Sequence, residues 1–379
     1  MEDQTITTDE LDISPVIGVT LEESSKTNGG NLSIQVTPFA WPSIGTEFQR
    51  VVITSGDTTK SYFIKSFTEE KGVSIARAAG SISLAEREHT YLSAYRNEGC
   101  PVPRSKVMAD KRLAMEDCGT ITLESKLRDE TPEQQEKILS GIAKQHARFI
   151  VAGRSIFPKL PAEMKKIAKM LGNMRDTAED MHKYWRPGAS EEERERFMKA
   201  FLPAIDYIPD REKQLIPGDT TTYHILIDEQ GNPRWVDLER GRLGHPTRSS
   251  AGYLFSPEVK LGLDATERVL KIERQEVSTL NEEQLRDDAW ISYLKAAYVC
   301  GILECTKRAT AVKRFELQVD PEKYAEFITQ APGFNQAHRA YSTHLNRIIS
   351  RIKENGLYDT REKTNLANAG EASLELISS

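Results

Sequence analysis

The stretch Leu215–Pro246, LIPGDTTTYHILIDEQGNPRWVDLERGRLGHP, constrains the fold more than any other part of this 379-residue chain. Ile225, Leu226 and Ile227 form an apolar run of strand formers. Asp228 to Pro233 then supplies Asp, Gly, Asn and Pro for a tight connection, and Arg234, Trp235 and Val236 return as a second strand. The pattern predicts a hairpin with Asp219 and Asp237 at its mouth. Two carboxylates brought to one rim suit a divalent cation held beside a hydroxyl that must lose a proton. A lone Asp near a hairpin is more often a turn carboxylate capping its own backbone, so it is the pair that points to chemistry.

The segment resembles the catalytic and metal-binding loops of the aminoglycoside phosphotransferase and choline kinase family, a branch of the protein-kinase-like fold. Members of that family read HGD, four residues, Asn, a short hairpin, and then an Asp in a context such as DWE. The same spacing here reads PGD, TTTY, His224 and then VDLE. The resemblance implies that Asp219 is the catalytic base and Asp237 the metal-binding Asp. Three positions depart from the pattern: Pro217 replaces the His, His224 replaces the metal-binding Asn, and Ser249 or Ser250 in RSSAGYL stands where relatives carry a loop-bracing Asp. An imidazole nitrogen is a poorer ligand for Mg2+ than an amide oxygen and a better one for Mn2+ or Zn2+. The implied cofactors are ATP or GTP with Mg2+, or Mn2+ in its place. His224 as a metal ligand and His224 as a hydrogen-bonding member of its own TTTY loop both remain open.

The implied fold is α+β and bilobal: a small antiparallel-sheet lobe with one helix over residues 31–118, and a larger, mostly helical lobe over 119–356 that contains the hairpin 215–246. Residues 1–30 are polar and acidic and are expected to form a flexible tail. From 357 to 379 the chain is polar and rich in Ala, Gly and Ser, and a second loose tail is expected. Three β-rich runs, NLSIQVTPF, FQRVVITSG and SYFIKSF, predict the strands of the small lobe. Ser43, Gly45 and Thr46 lie where the resemblance places a phosphate-covering loop, although one Gly is also what an ordinary turn would show. Lys65 falls in the third strand and is implied to reach a phosphate. The following helix, SLAEREHTYLSAYRN, stops at Gly99 and the prolines of PVP. Counting back from those prolines, the resemblance makes Glu88 the partner of Lys65. Glu116, Asp117 and Cys118 in LAMEDCG are similar to the hinge whose backbone meets an adenine edge.

Two capping boxes mark helix starts in the larger lobe, Thr131 to Gln134 and Ser190 to Glu193. His146 shares an apolar face with Ile142, Phe149 and Ile150, and is read as a hydrogen-bonded core histidine. The four cysteines lack metal-ligand spacing and are expected to be buried free thiols. The net charge of −6 is weighted to the N-terminal thirty residues, which argues against a nucleic-acid groove. No apolar run is long enough for a membrane span, and a cytoplasmic location is expected. Two functions follow. The first is an ATP-dependent phosphotransferase acting on a hydroxyl of a small molecule. The second, favoured by the three departures, is a kinase-like protein that binds nucleotide or a partner without turnover.

Overall fold

The computed structural model describes residues 27–29, 32–39, 46–55, 57–67, 82–108, 112–185, 190–318, 334–354, 356 and 358–378. The expected phosphate-loop residues Ser43 and Gly45 lie outside them, as do residues 1–26 and 30 of the expected N-terminal tail. The fold is α+β, with two compact units: residues up to Thr120 together with Leu226–Glu239, and Ile121–Ile225 together with Arg240–Ser379.

The first unit is built on a six-stranded antiparallel sheet in the order β1-β2-β3-β4-β6-β5. Its strands are β1 (Thr27–Gly29), β2 (Leu32–Phe39), β3 (Thr46–Ser55), β4 (Thr58–Phe67), β5 (Ser105–Met108) and β6 (Arg112–Glu116). The strand Thr27–Gly29 corrects the expected tail, because its backbone pairs in register with Leu32–Ile34. Along β3 and β4 alternate residues share a face. Val51, Ile53, Tyr62 and Ile64 join Val36, Met108 and Ala114 in one apolar cluster. Lys65 therefore projects from the opposite face, where its strand neighbours are Phe48 and Leu113.

Helix α1 (Leu84–Asn97) is fixed at its start by a capping box in which Ser83 and Glu86 satisfy each other's backbone N–H groups. It stops at Gly99, whose φ of +77° is left-handed and favours glycine. Glu88, Tyr91, Leu92 and Tyr95 form its buried stripe. Full burial of Leu92 contributes about 1.5–3 kcal/mol.

The hairpin strands β9 (Ile225–Ile227) and β10 (Pro233–Trp235) are short. Residues 226–239 fold with the first unit, which corrects the expectation that the whole hairpin belongs to the helical part. The reasons are specific contacts: the Trp235 N–H donates to the Pro101 carbonyl at 3.0 Å, and the Arg87 guanidinium donates to the Glu239 carbonyl at 2.5 Å.

The second unit opens on the short strand β7 (Ile121–Thr122) and is mainly helical, with α2 (Leu123–Arg128), α3 (Pro132–Lys159), α4 (Ala162–Gly172), α5 (Met174–Trp185), α6 (Glu191–Ile205), α7 (Thr247–Leu254), α8 (Leu263–Leu280), α9 (Asp287–Gln318), α10 (Phe334–Glu354) and α11 (Thr360–Ser378). The two-stranded pair of β8 (Gln214–Ile216) with β11 (Arg242–Gly244) aligns Arg242 with Ile216. Helix α3 approaches β8 so closely that a Cβ on Gly153 would lie 2.0 Å from the Leu215 carbonyl oxygen.

Helix α11 corrects the expected loose C-terminal tail. Asp359 and Glu362 make reciprocal capping bonds of 2.8 and 3.0 Å, a start signal that the polar composition hides. Leu366, Ala369 and Ile377 are then buried, and a Cβ on Gly370 would lie 2.4 Å from Ile349 Cγ1. Small residues therefore serve as a close helix contact with α10.

Candidate functional site

In the first unit, the strand, the helix and the residues after β10 bring four charged side chains together. Lys65 Nζ lies 2.7 Å from Glu88 Oε2 and 3.1 Å from Glu239 Oε2, and it also contacts Asp237 Oδ1. Lys65 and Glu88 are buried, with side-chain exposures of 2% and 0%. Burial alone would lower the Lys65 pKa, but the three carboxylates, Asp237 foremost, hold it well above its ordinary value. Burial raises the Glu88 carboxyl despite Lys65. It also pushes Glu239 up to about 8, with the Asp237 charge adding to the effect.

Asp237 occupies an uncommon backbone conformation, with φ of +64°. Left-handed backbone at a non-glycine residue costs on the order of 1 kcal/mol and persists where the surroundings hold it. Here the Asp237 N–H donates to Glu88 Oε1 at 3.1 Å, so Glu88 ties together the ammonium and the turn. Ligand oxygens of Glu88, Asp237 and Glu239 lie within 4.8 Å of one another. When ionised, the three carboxylates outnumber the one ammonium, and a divalent cation would offset that excess. Glu239 was not among the residues the sequence singled out. Its signal was present in VDLE, where an acid two residues after the Asp could have been read as a second ligand.

In the second unit, Asp219 lies three residues after the end of β8. Gly218 is required there, because a Cβ would lie 1.8 Å from the Arg240 carbonyl oxygen. Ser249 Oγ donates to the Pro217 carbonyl at 3.0 Å, and Thr220 Oγ1 donates to the Ser249 carbonyl at 2.6 Å. The loop is thus braced by a hydroxyl at the position where the resemblance expects a carboxylate. Ser250 instead donates to Glu273 at 2.6 Å, and Glu273 also meets the buried His146 Nδ1 at 2.7 Å. His146 is therefore part of a core network.

His224 Nδ1 lies 3.2 Å from both the Asp219 carbonyl and Thr221 Oγ1, and 3.6 Å from Asp219 Oδ1. Arg308, on α9, donates to Asp219 Oδ1 at 3.0 Å. Burial alone would raise the Asp219 pKa, but Arg308 foremost, then His224, holds it well below the usual carboxylate range. Arg308 was missed because no local spacing links it to a residue 89 positions earlier in the chain.

The hinge-like residues are structurally engaged. The N–H groups of Glu116 and Asp117 donate to the carbonyls of Arg104 and Ser61. The Asp117 carboxylate accepts from Arg50 at 2.7 Å and from Ser61 at 2.6 Å. Among the described residues, the Cys118 N–H makes no hydrogen bond, which leaves one backbone donor available. Thr46 begins β3 and pairs with Phe67.

The elements and their order give a kinase-like fold. No family profile and no curated protein matches the chain. Solved structures do match in fold. A choline kinase from Cryptosporidium parvum superposes with a TM-score of 0.55 at 13% identity, covering 87% of this chain and 93% of that one. An ethanolamine kinase from Plasmodium vivax gives 0.53 at 10% identity, covering 80% and 82%. An amicoumacin kinase in complex with AMP-PNP, Ca2+ and Ami gives 0.52 at 10% identity, covering 80% and 88%. Among the described residues, no helix is long and apolar enough to cross a membrane.

Proposed function

We propose that the chain is an ATP-dependent phosphotransferase acting on a hydroxyl of a small molecule. The observation that carries this reading is the cluster of Lys65, Glu88, Asp237 and Glu239: one buried ammonium held by a helix carboxylate, beside two further carboxylates. A bound divalent cation would be held by Asp237 and Glu239 and would neutralise phosphate charge. Lys65 binds phosphate oxygens, and Glu88 holds Lys65 and the Asp237 turn in place. Asp219 orients the acceptor hydroxyl and accepts its proton. Cys118, at the hinge-like segment, offers its N–H to a purine edge. GTP would use the same groups.

The alternative, nucleotide binding without turnover, is favoured by one observation: Arg308 already holds the Asp219 carboxylate. A depressed pKa makes Asp219 a weak base, although it still orients a hydroxyl. The test is nucleotide consumption with Mg2+ or Mn2+ across a panel of small alcohols, compared with Asp219→Ala. The phosphotransferase reading expects turnover that falls by about 10²–10⁴-fold in the variant. Nucleotide binding with no turnover on any acceptor would leave the alternative.

A further inference from the structure

We infer that the second unit carries an oxyanion site formed by Arg242, Lys307 and Arg308 beside Asp219, and that the acceptor alcohol itself bears a phosphate or carboxylate group. The acceptor part rests on the phosphotransferase reading above. The site begins with a charge imbalance. Arg242, Arg248, Lys307 and Arg308 surround two carboxylates, Asp219 and Glu304. A further carboxylate of this unit, Glu258, accepts from Thr222 Oγ1, and burial pushes its pKa up to about 7. Counting it, these four basic side chains stand against three carboxylates.

Three of the four cations are hydrogen-bonded. Arg248 donates to Glu304 at 3.0 Å, to the Gly172 carbonyl at 3.5 Å and to Thr177 at 3.3 Å. Lys307 donates to Glu304 at 3.2 Å and Arg308 to Asp219 at 3.0 Å. Arg242 is 8% exposed, its Nε, like that of Arg308, is buried with no hydrogen-bond partner, and among the described residues its side chain approaches a carboxylate only at 3.9 Å, at Glu304 Oε1. A buried Nε–H left unmet costs free energy that a bound oxyanion would recover.

Position agrees with that chemistry. Register pairing sets Arg242 opposite Ile216, three residues before Asp219. Lys307 and Arg308 reach the cluster from α9, where Glu304 sits one turn earlier. The side chains of Asp219, Lys307 and Arg308 are 20%, 22% and 15% exposed, so the cluster opens to solvent on the side of the proposed base. Burial, followed by the neighbouring Arg248 charge, lowers Arg242 to about 9, and burial lowers Lys307 to about 7. Burial is the first cause of both shifts, and neighbouring arginine charges add to it. An amine or quaternary ammonium acceptor would meet like charge here. An alcohol carrying an oxyanion would meet forked donors matched to it.

The same donors could instead take the terminal phosphate of the nucleotide, and the experiment separates the two sources. Inorganic phosphate is titrated into the full-length protein by calorimetry, with and without saturating AMP-PNP, for wild type, Arg242→Gln and Lys307→Met. The expected result is saturable phosphate binding that persists with AMP-PNP and weakens at least tenfold in each variant. Displacement of phosphate by AMP-PNP would assign the site to the nucleotide and overturn the acceptor inference. Absence of saturable binding, or equal binding in folded variants, would overturn the site. If Arg242→Gln fails to fold, Lys307→Met decides, because that side chain is partly exposed. The readout needs no turnover, so a protein that binds phosphate but consumes no nucleotide would retain the site and lose the phosphotransferase reading.

Discussion

The two charged clusters are near mirror images in sign. Around Lys65 in the first unit, one buried ammonium faces Glu88, Asp237 and Glu239. Around Asp219 in the second, four basic side chains stand against Asp219, Glu304 and Glu258. Each is built of charges whose isolated burial would be costly, and each is left with an excess of one sign. Under the function and the inference proposed above, the first would receive a cation and the second an oxyanion.

The largest effects should come from removing the minority charge of each cluster. Lys65→Met leaves three carboxylates without their ammonium, and breaking such a buried pair costs about 3–5 kcal/mol. We expect a lowered denaturation midpoint, partly restored by Mg2+ or Mn2+, and loss of nucleotide binding. Full stability in metal-free buffer would dissolve the contrast. Glu304→Gln is the counterpart. It releases Arg248 and Lys307 from their shared acceptor and should cost a similar amount, with added phosphate as the ligand that restores stability.

Acid and base should then act on the two clusters in opposite directions. Glu239 has its pKa raised from 4.5 to about 8, so the folded state retains a proton that the unfolded state has lost between those values. Its contribution therefore declines as pH rises through that window, and Glu239→Gln should remove the decline. Asp219 and Glu304 are depressed, so their contributions are present above the ordinary carboxylate range and are lost as pH falls through the folded values. Hydrogen exchange measured at pH 5 and at pH 8 on the metal-free protein should show the first unit loosening at the higher pH only. Uniform protection in both units would remove the distinction.

A smaller effect sharpens the acid side. Burial lowers His344 to about 4, so between its unfolded value of 6.5 and that value the unfolded chain holds a proton that the folded chain lacks. Stability present above pH 6.5 should fall by up to about 1.4 kcal/mol per pH unit across the window. A folded His344→Gln variant should lose that slope in urea titrations, while the Asp219 and Glu304 losses at lower pH remain.

How much of this was legible follows from which forces are local. Thr131 with Gln134 and Ser190 with Glu193 announce helix starts, because a cap is a contact between residues three apart. The strand, turn and strand of the hairpin were likewise readable from Ile225 to Trp235. The final helix was not. Its Asp359 and Glu362 cap follows the same rule, but the polar composition outweighed it, and the helix is held by burial of Leu366, Ala369 and Ile377.

For the charged clusters the division is sharper. By itself the sequence determined the chemical types and the local frames: Asp219 behind a Pro-Gly turn, Asp237 after a hairpin, and Lys65 on a strand. Only the tertiary structure decided that Glu239 joins Lys65, that Arg308 holds Asp219 across 89 positions, and that Arg242 is buried with its Nε unmet. The physical reason is that capping and turn formation depend on neighbours along the chain. The energy of a buried charge depends on every charge within a few ångströms, and the fold alone chooses those.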